Sequence, residues 1–345
     1  MKVVSIGGGT GLSSVLRGLK MHLAEPWRPA QYQPNLSRLV AVVTVTDEGG
    51  SSGRLRRDFR ILPPGDIRNC LVALAEDEML LTRLFNYRFA QGRGLKGHSL
   101  GNLLLAALTE LTRDFAHAVK LSSGVLAIRG EIFPSTLSDV RLKARLGDGK
   151  ILFGEAEITR TRAPIRRLFL IPSRCRPLPE TLKAIEQADL VTVGPGSLYT
   201  SLIPNLLVRG IPEAIARSKA LKIYIANLMT QPGETSGYTA SHHLRALNEH
   251  ARRNLFDAVL LNTRRLSSSV RRRYGAQRAE PVLNDIPEIK ALGVKPVLAE
   301  LLEEHQVARH DSRRLAQILL DFAGQELPSE APSTRHAARR KAASR

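Results

Sequence analysis

KVVSIGGGTGLSSVLRGL, residues 2–19, is the stretch whose reading decides the fold. Val3 to Ile6 predicts a short buried strand, and the segment from about Leu12 to His22 predicts a helix. Between them Gly7, Gly8, Gly9, Thr10 and Gly11 place four glycines in five positions. Glycine adopts positive φ at no steric cost and lets backbone N–H groups approach a ligand closely. The helix that follows adds its unpaired N-terminal donors and its dipole. A plain tight turn requires one glycine, so four predict a cradle for the phosphates of a nucleotide, with Leu12 closing it. No Gly-Lys-Ser/Thr follows, which disfavours a P-loop and ordinary ATPase chemistry. The dinucleotide pattern G-x-G-x-x-G also fails: counted from Gly7 its third position is Leu12, and counted from Gly9 it is Ser14. NAD is therefore the second choice.

Outward from this turn, strand and helix patterns alternate. Leu39 to Thr46 reads as a strand buried on both faces, as in parallel sheets. Ile67 to Ala75, Met79 to Phe89 and Leu103 to Arg113 read as helices, and Glu25 to Ser37 as a proline-rich loop. Between residues 138 and 158 the period changes to two, and Asp148-Gly149 predicts the turn of an inserted β-hairpin whose second run is Ile151 to Ile158. Helical Pro179 to Ala188 leads into strand Leu190 to Val193, then further βα units at Lys222 to Leu228 and Asp257 to Asn262, and a last helix from Arg309 to Phe322. The expectation is a single α/β domain over residues 1–324, a Rossmann-like mainly parallel sheet with helices on both faces. Residues 325–345, rich in Ala, Pro, Ser and Arg, read as a disordered basic tail.

The chain carries 51 Lys and Arg against 32 Asp and Glu, a net charge of +19. From Gly324 onward there are only five Lys or Arg and two Glu, so most of this charge belongs to the body. Such a field raises the on-rate of anionic ligands. Zinc-finger, helix-turn-helix and RNP patterns are missing and aromatics are 5%, so dedicated nucleic-acid binding is not expected. Cys70 and Cys175 make neither a disulfide framework nor a zinc pattern. No apolar run reaches the roughly 18 residues of a membrane span, and the N-terminus enters a strand without a signal-peptide layout. A cytoplasmic protein is expected.

In a parallel sheet the ligand sits beyond the carboxyl ends of the strands, and the unusual loops all lie at strand ends or helix starts. After the second strand come Asp47, Glu48, Gly50, Ser51 and Ser52, a Gly/Ser-rich source of backbone donors. Asp66, Arg68 and Asn69 would aim a carboxylate, a charged fork and an amide at the same space. His98 and Asn102 lie in a glycine-flanked helix start. Gly194, Pro195, Gly196 and Ser197 repeat the strand, glycine turn and helix order, with Thr200 and Ser201 adding hydroxyls. Asn227, Thr230 and Glu234 follow another strand. Asp47, Glu48 and Asp66 could hold Mg²⁺ beside phosphates, or cap helices and pair with Arg54, Arg57 and Arg68. Glu48 reads as a cap or pair, and Asp47 and Asp66 as polar groups of the site. No Ser-His-Asp set or nucleophile elbow is present, so no catalytic residue is assigned.

Taken together, GGGTGLS (7–13), TDEGGSSGRLR (46–56), PPGDIRNCL (63–71), GHSLGNLLL (97–105), VGPGSLYTSLIPNLLV (193–208), NLMTQPGET (227–235) and RHD (309–311) resemble the YvcK family of bacterial gluconeogenesis factors, within the CofD-like superfamily. The resemblance spans about residues 3 to 322. It implies a CofD-like fold and a cytosolic protein that binds a UDP-sugar such as UDP-N-acetylglucosamine. It also implies a role in cell shape and envelope-precursor balance during gluconeogenic growth; the expected partners are an envelope-synthesis protein and a second copy of the chain. No required cofactor and no catalysed reaction come with it, and Mg²⁺ through Asp47 is the candidate metal. The alternative is a CofD-type transferase that moves a phospholactyl-like group from a nucleotide-linked donor to an alcohol. The family usually carries two aspartates where this chain has Asp47-Glu48, a departure that bears on metal binding.

Overall fold

The computed structural model describes residues 1–24, 36–76, 80–304 and 307–327. Its strands are β1 (Lys2–Gly7), β2 (Arg38–Val43), β3 (Glu131–Pro134), β4 (Arg141–Leu146), β5 (Ile151–Phe153), β6 (Ile165–Ile171), β7 (Leu190–Val193), β8 (Leu221–Ile225), β9 (Ala258–Asn262), β10 (Lys295–Ala299), β11 (Leu302–Glu304) and β12 (Ala308–His310). Seven of them form one sheet in the order β10-β9-β8-β7-β1-β2-β3. Every pairing in it is parallel. The apolar runs of β1 and β2 are buried along almost their whole length, because helices cover both faces.

The chain builds β1, β2 and β3 in one direction, returns to lay β7 against the other side of β1, and then proceeds to β10. The order therefore reverses between β1 and β7. At such a switch point the loops leaving two neighbouring strands diverge and open a crevice at their carboxyl ends. Both glycine turns leave these two strands.

Several boundaries differ from the sequence reading. The first helix begins at Gly9, not Leu12, so Gly9, Thr10 and Gly11 form its opening turn and Gly8 precedes it. It buries Leu12, Val15, Leu16 and Leu19 at helical spacing. A helix also runs from Gly50 to Phe59, where a loop was expected. Its sequence, rich in arginine, offers little apolar periodicity, and Leu55 is its only buried large apolar residue. The inserted hairpin is part of a three-stranded antiparallel sheet, β5-β4-β6. Leu142, Ala144 and Leu146 point inward as the alternation predicts. The second run ends at Phe153, because Gly154 has φ +84° and starts a helix, Glu155–Arg160, that buries Ile158. The last helix spans Ser312–Glu326, so Gln325 and Glu326 belong to it and not to a tail. Leu327 ends that helix, and residues 328–345 of the expected tail, most of the Glu25 to Ser37 loop and Met79 lie outside the described residues. Among the described residues no helix is long and apolar enough to cross a membrane.

Candidate functional site

The two glycine turns touch. The Cα of Gly11 lies so close to Pro195 that a Cβ there would overlap the Pro195 carbonyl oxygen, with Gly196 Cα 3.1 Å away. Gly9 has φ +62°, which turns the chain from β1 into the helix. The second turn is held from the next strand. Asn227, just beyond β8, accepts from the Gly196 N–H at 3.1 Å and donates to the Gly196 carbonyl at 2.8 Å. Gln231 donates to the Ser197 hydroxyl at 2.8 Å. Asn205 ties the turns from below, donating to the Gly7 carbonyl at 3.2 Å.

These turns line a cavity of about 940 Å³. Of the sequence-predicted residues it exposes Gly8, Gly9, Thr10, Gly11, Asn69, Pro195, Gly196, Ser197, Asn227, Thr230 and Glu234, together with Ser201. The first helix opens onto it with its N-terminal turn, which carries no acidic residue. Unpaired N–H groups and a helix dipole at such a point favour an anion.

A group of carboxylates stands beside the first turn. Asp66 accepts a hydrogen bond from the Gly9 backbone, and one of its oxygens lies where a Gly8 Cβ would stand at 2.5 Å. Burial, then the nearby Asp47 charge, push its carboxyl up to about 7, against the Gly9 bond that favours ionisation. Asp47 accepts from the Gly49 N–H at 2.8 Å, and its other oxygen rests against Gly65 beside the Ser52 hydroxyl. Glu155 is raised by burial and by Asp47. Glu234, buried, is also pushed to about 7 by desolvation, although it accepts from the Tyr199 N–H at 3.3 Å and Thr200 at 3.4 Å.

Glu48 is paired, as expected, but with Arg56 at 3.6 Å and Arg141 at 3.7 Å and not with Arg54, Arg57 or Arg68. That leaves Asp47 and Asp66, with Glu155 nearby, as carboxylates whose charges act on one another beside the first glycine turn. Two carboxylates plus phosphate oxygens suit Mg²⁺. Among the described residues no three His, Cys, Asp or Glu side chains converge on a metal position, so protein ligands alone do not form a cage here.

The other predicted residues stand behind the cavity wall. Ser51 and His98 hydrogen-bond to each other at 2.9 Å, both buried. Burial, more than the neighbouring Arg54, lowers the His98 pKa. Gly50, at φ +43°, and Ser52 belong to the same helix turn as Ser51. Asn102 lies in the first turn of the helix capped by Ser99. Arg68 donates to Asn69 at 2.6 Å and to Asn86 at 3.1 Å, and so orients two amides that face the cavity. Leu12 is core. Gly194, at φ +87°, packs against the Ile225 carbonyl. Thr200 reaches the cavity only through Glu234.

A family model described as 2-phospho-L-lactate transferase CofD matches residues 3–302. The chain belongs to the CofD family. Within this CofD-family group it is 46% identical over 322 residues to the gluconeogenesis factor of Bacillus subtilis, covering 93% of this chain and 98% of that protein. It is 47% identical over 320 residues to the gluconeogenesis factor of Halalkalibacterium halodurans, covering 92% and 95%. A crystal structure of a Bacillus halodurans protein, described as a member of the UPF0052 family, superposes with a TM-score of 0.86 at 47% identity, over 92% of this chain and 98% of that one.

The cavity of this CofD-family chain includes residues that the sequence reading did not assign. Ser13, Ser14 and Arg17 continue the lining from Thr10 along the first helix. Their spacing with Thr10 is i, i+3, i+4 and i+7, one helical face, and this polar stripe was a usable signal. Thr159, Tyr274, Arg309 and His310 come from distant segments. In the RHD motif, Arg309 and His310 face the cavity, while Asp311 caps the last helix by accepting from the Arg313 and Arg314 N–H groups. His310 bonds the Ala226 carbonyl at 3.2 Å, and burial lowers its pKa to about 4.

Proposed function

We propose that the chain binds a nucleoside-diphosphate sugar, of the UDP-N-acetylglucosamine type, and acts as a cytoplasmic binding factor in envelope-precursor balance and cell shape under gluconeogenic growth. The observation that carries this reading is the direct packing of the two glycine turns in the lining of one large cavity. Two adjacent glycine turns, one of them opening a helix, give room for a diphosphate better than for a single phosphate. The name gluconeogenesis factor carried by the relatives supports the cellular role. Asn69, Thr230 and the Asn227 loop supply polar surface for ribose or sugar. Mg²⁺, if it accompanies the diphosphate, has Asp47 and Asp66 as its candidate ligands. Calorimetric titration with UDP-N-acetylglucosamine, GDP, NAD and Mg²⁺ tests the reading. Saturable binding of the UDP-sugar is expected, and a response to GDP or NAD with none to UDP-sugars would overturn it.

One observation favours a second reading, a CofD-type phosphoryl-group transferase. Asp66, held near pKa 7 against Gly8 and Gly9, is poised to accept a proton from an alcohol that attacks a bound phosphate. Release of nucleoside monophosphate from a nucleotide-linked donor in the presence of an alcohol acceptor would support it, and its loss in Asp66→Asn would assign the residue.

A further inference from the structure

A second cavity, of about 330 Å³, lies at the carboxyl ends of β8 and β9. It shares Asn227 and Leu228 with the large cavity, so the two are neighbours along one edge of the sheet. Both volumes fall in the range of small-molecule sites, roughly 300–1,000 Å³. Arg264, Arg265 and Arg271 all line the second cavity, and no Asp or Glu does.

Its frame is held by two asparagines. Asn262, the last residue of β9, accepts from the Arg264 N–H at 3.2 Å and the Leu301 N–H at 3.0 Å, and donates to the Arg264 carbonyl at 2.7 Å. Asn284 donates to the Asn262 carbonyl at 2.8 Å. The loop that bears the arginines is thus pinned, whereas no acid within the cavity lining neutralises their charges. Arg264 spends one donor on the Leu302 carbonyl at 3.2 Å. The guanidinium groups of Arg265 and Arg271 have no hydrogen-bond or ion-pair partner among the described residues. Glu304, outside the cavity lining, feels the Arg264 charge, but its carboxylate is engaged chiefly by Ser267, whose N–H it accepts at 2.7 Å. Isolated surface arginines are ordinary in a chain of this charge. Three that converge on a concave, acid-free cavity beside a ligand site repel one another unless an anion enters. A guanidinium is a planar fork of donors that matches carboxylate and phosphate oxygens.

We propose that this second cavity is an acidic-group subsite. A nucleotide whose diphosphate lies over the paired glycine turns would place a further carboxylate or phosphate against Arg264, Arg265 and Arg271. The proposal rests on the nucleotide-sugar reading and narrows its ligand class, from neutral sugars to ligands with an acidic group beyond the diphosphate.

Calorimetry on the full chain tests it with matched pairs: UDP-N-acetylglucosamine against UDP-N-acetylmuramate and UDP-glucuronate, and NAD against NADP. At least one acidic ligand is expected to bind about tenfold or more tightly than its neutral counterpart, the effect of one or two charge-assisted hydrogen bonds. Preference among the UDP-sugars identifies a sugar carboxylate as the source, and preference for NADP identifies a ribose phosphate. In the Arg265→Ala/Arg271→Ala double variant, whose exposed positions leave the core intact, that preference should vanish while UDP-N-acetylglucosamine affinity stays the same. UDP-N-acetylglucosamine binding with no preference for any acidic partner overturns the subsite and leaves the nucleotide-sugar reading standing. Failure of every UDP ligand to bind overturns both.

Discussion

Gly11 packs its Cα directly on the Pro195 carbonyl, a contact between the turns that follow two strands, β1 and β7, which meet only in the folded sheet. There is no room for a side chain between them. Gly11→Ala should force the turns apart, at a cost of about 1–3 kcal/mol for an overpacked site. Nucleotide affinity should fall further than that of a variant equally destabilised elsewhere. Gly18→Ala, which overlaps the Ser312 carbonyl at the packing of the first and last helices, is the matched control. Equal ligand losses in the two, measured at temperatures of equal folded fraction, would detach the turn contact from binding.

Gly9 makes a different demand. Its φ of +62° lies in the left-handed region, and open space surrounds its Cα apart from Ser201 Oγ at 3.7 Å from a Cβ. Strain, not crowding, should dominate. Gly9→Ala is expected to cost about 1–2 kcal/mol, and Gly9→Val more, because β-branching disfavours this conformation further. Ligand titration of both should show Val well below Ala in affinity. The reverse order would contradict the strain argument.

Asn227 uses both ends of its amide on Gly196. Asn227→Leu should leave these part-buried backbone groups without a protein partner, at up to about 1–3 kcal/mol. Asn227→Asp should keep the bond from the Gly196 N–H but set a carboxylate against the Gly196 carbonyl. Denaturant unfolding and titration should therefore rank wild type above both variants in stability and in affinity. An Asp variant equal to wild type would mean that the amide donor contributes nothing.

The Asp66 carboxyl, raised from 3.8 to about 7, holds its proton in the folded state at pH values where the unfolded chain has released it. Between roughly pH 4 and 7 the folded state binds more protons, so this residue contributes stability at low pH that is lost as pH rises through that window. His310, depressed to about 4, acts in the opposite sense and loses its contribution as pH falls from 6.5 towards 4. The two partly cancel in the wild type. Asp66→Asn should remove one of them, so that the variant gains stability relative to wild type as pH rises from 4 to 7. Parallel stability curves for the two proteins across that range would sink the assignment.

Sequence alone determined the glycine turn between the first strand and helix and the class of fold. Four glycines between an apolar run and a helix leave few other solutions, and the buried runs of β1, β2, β7 and β9 mark a parallel sheet because apolar continuity is local information. The paired role of Glu48 and the inward alternation of β4 were legible for the same reason. The helix Gly50–Phe59 was not, since its arginines hide any periodicity, and the switch from strand to helix at Gly154 depends on one backbone conformation. Only the tertiary structure decided which loops meet. Strand order puts β7 against β1 and so brings Pro195 onto Gly11, sets Asp66 under Gly8, and withdraws Ser51 and His98 into a buried pair behind the wall. A phosphate-binding turn is written in the torsional freedom of consecutive residues, but a site is made by side chains distant in sequence. Their approach is governed by how the strands are ordered, which no local pattern encodes.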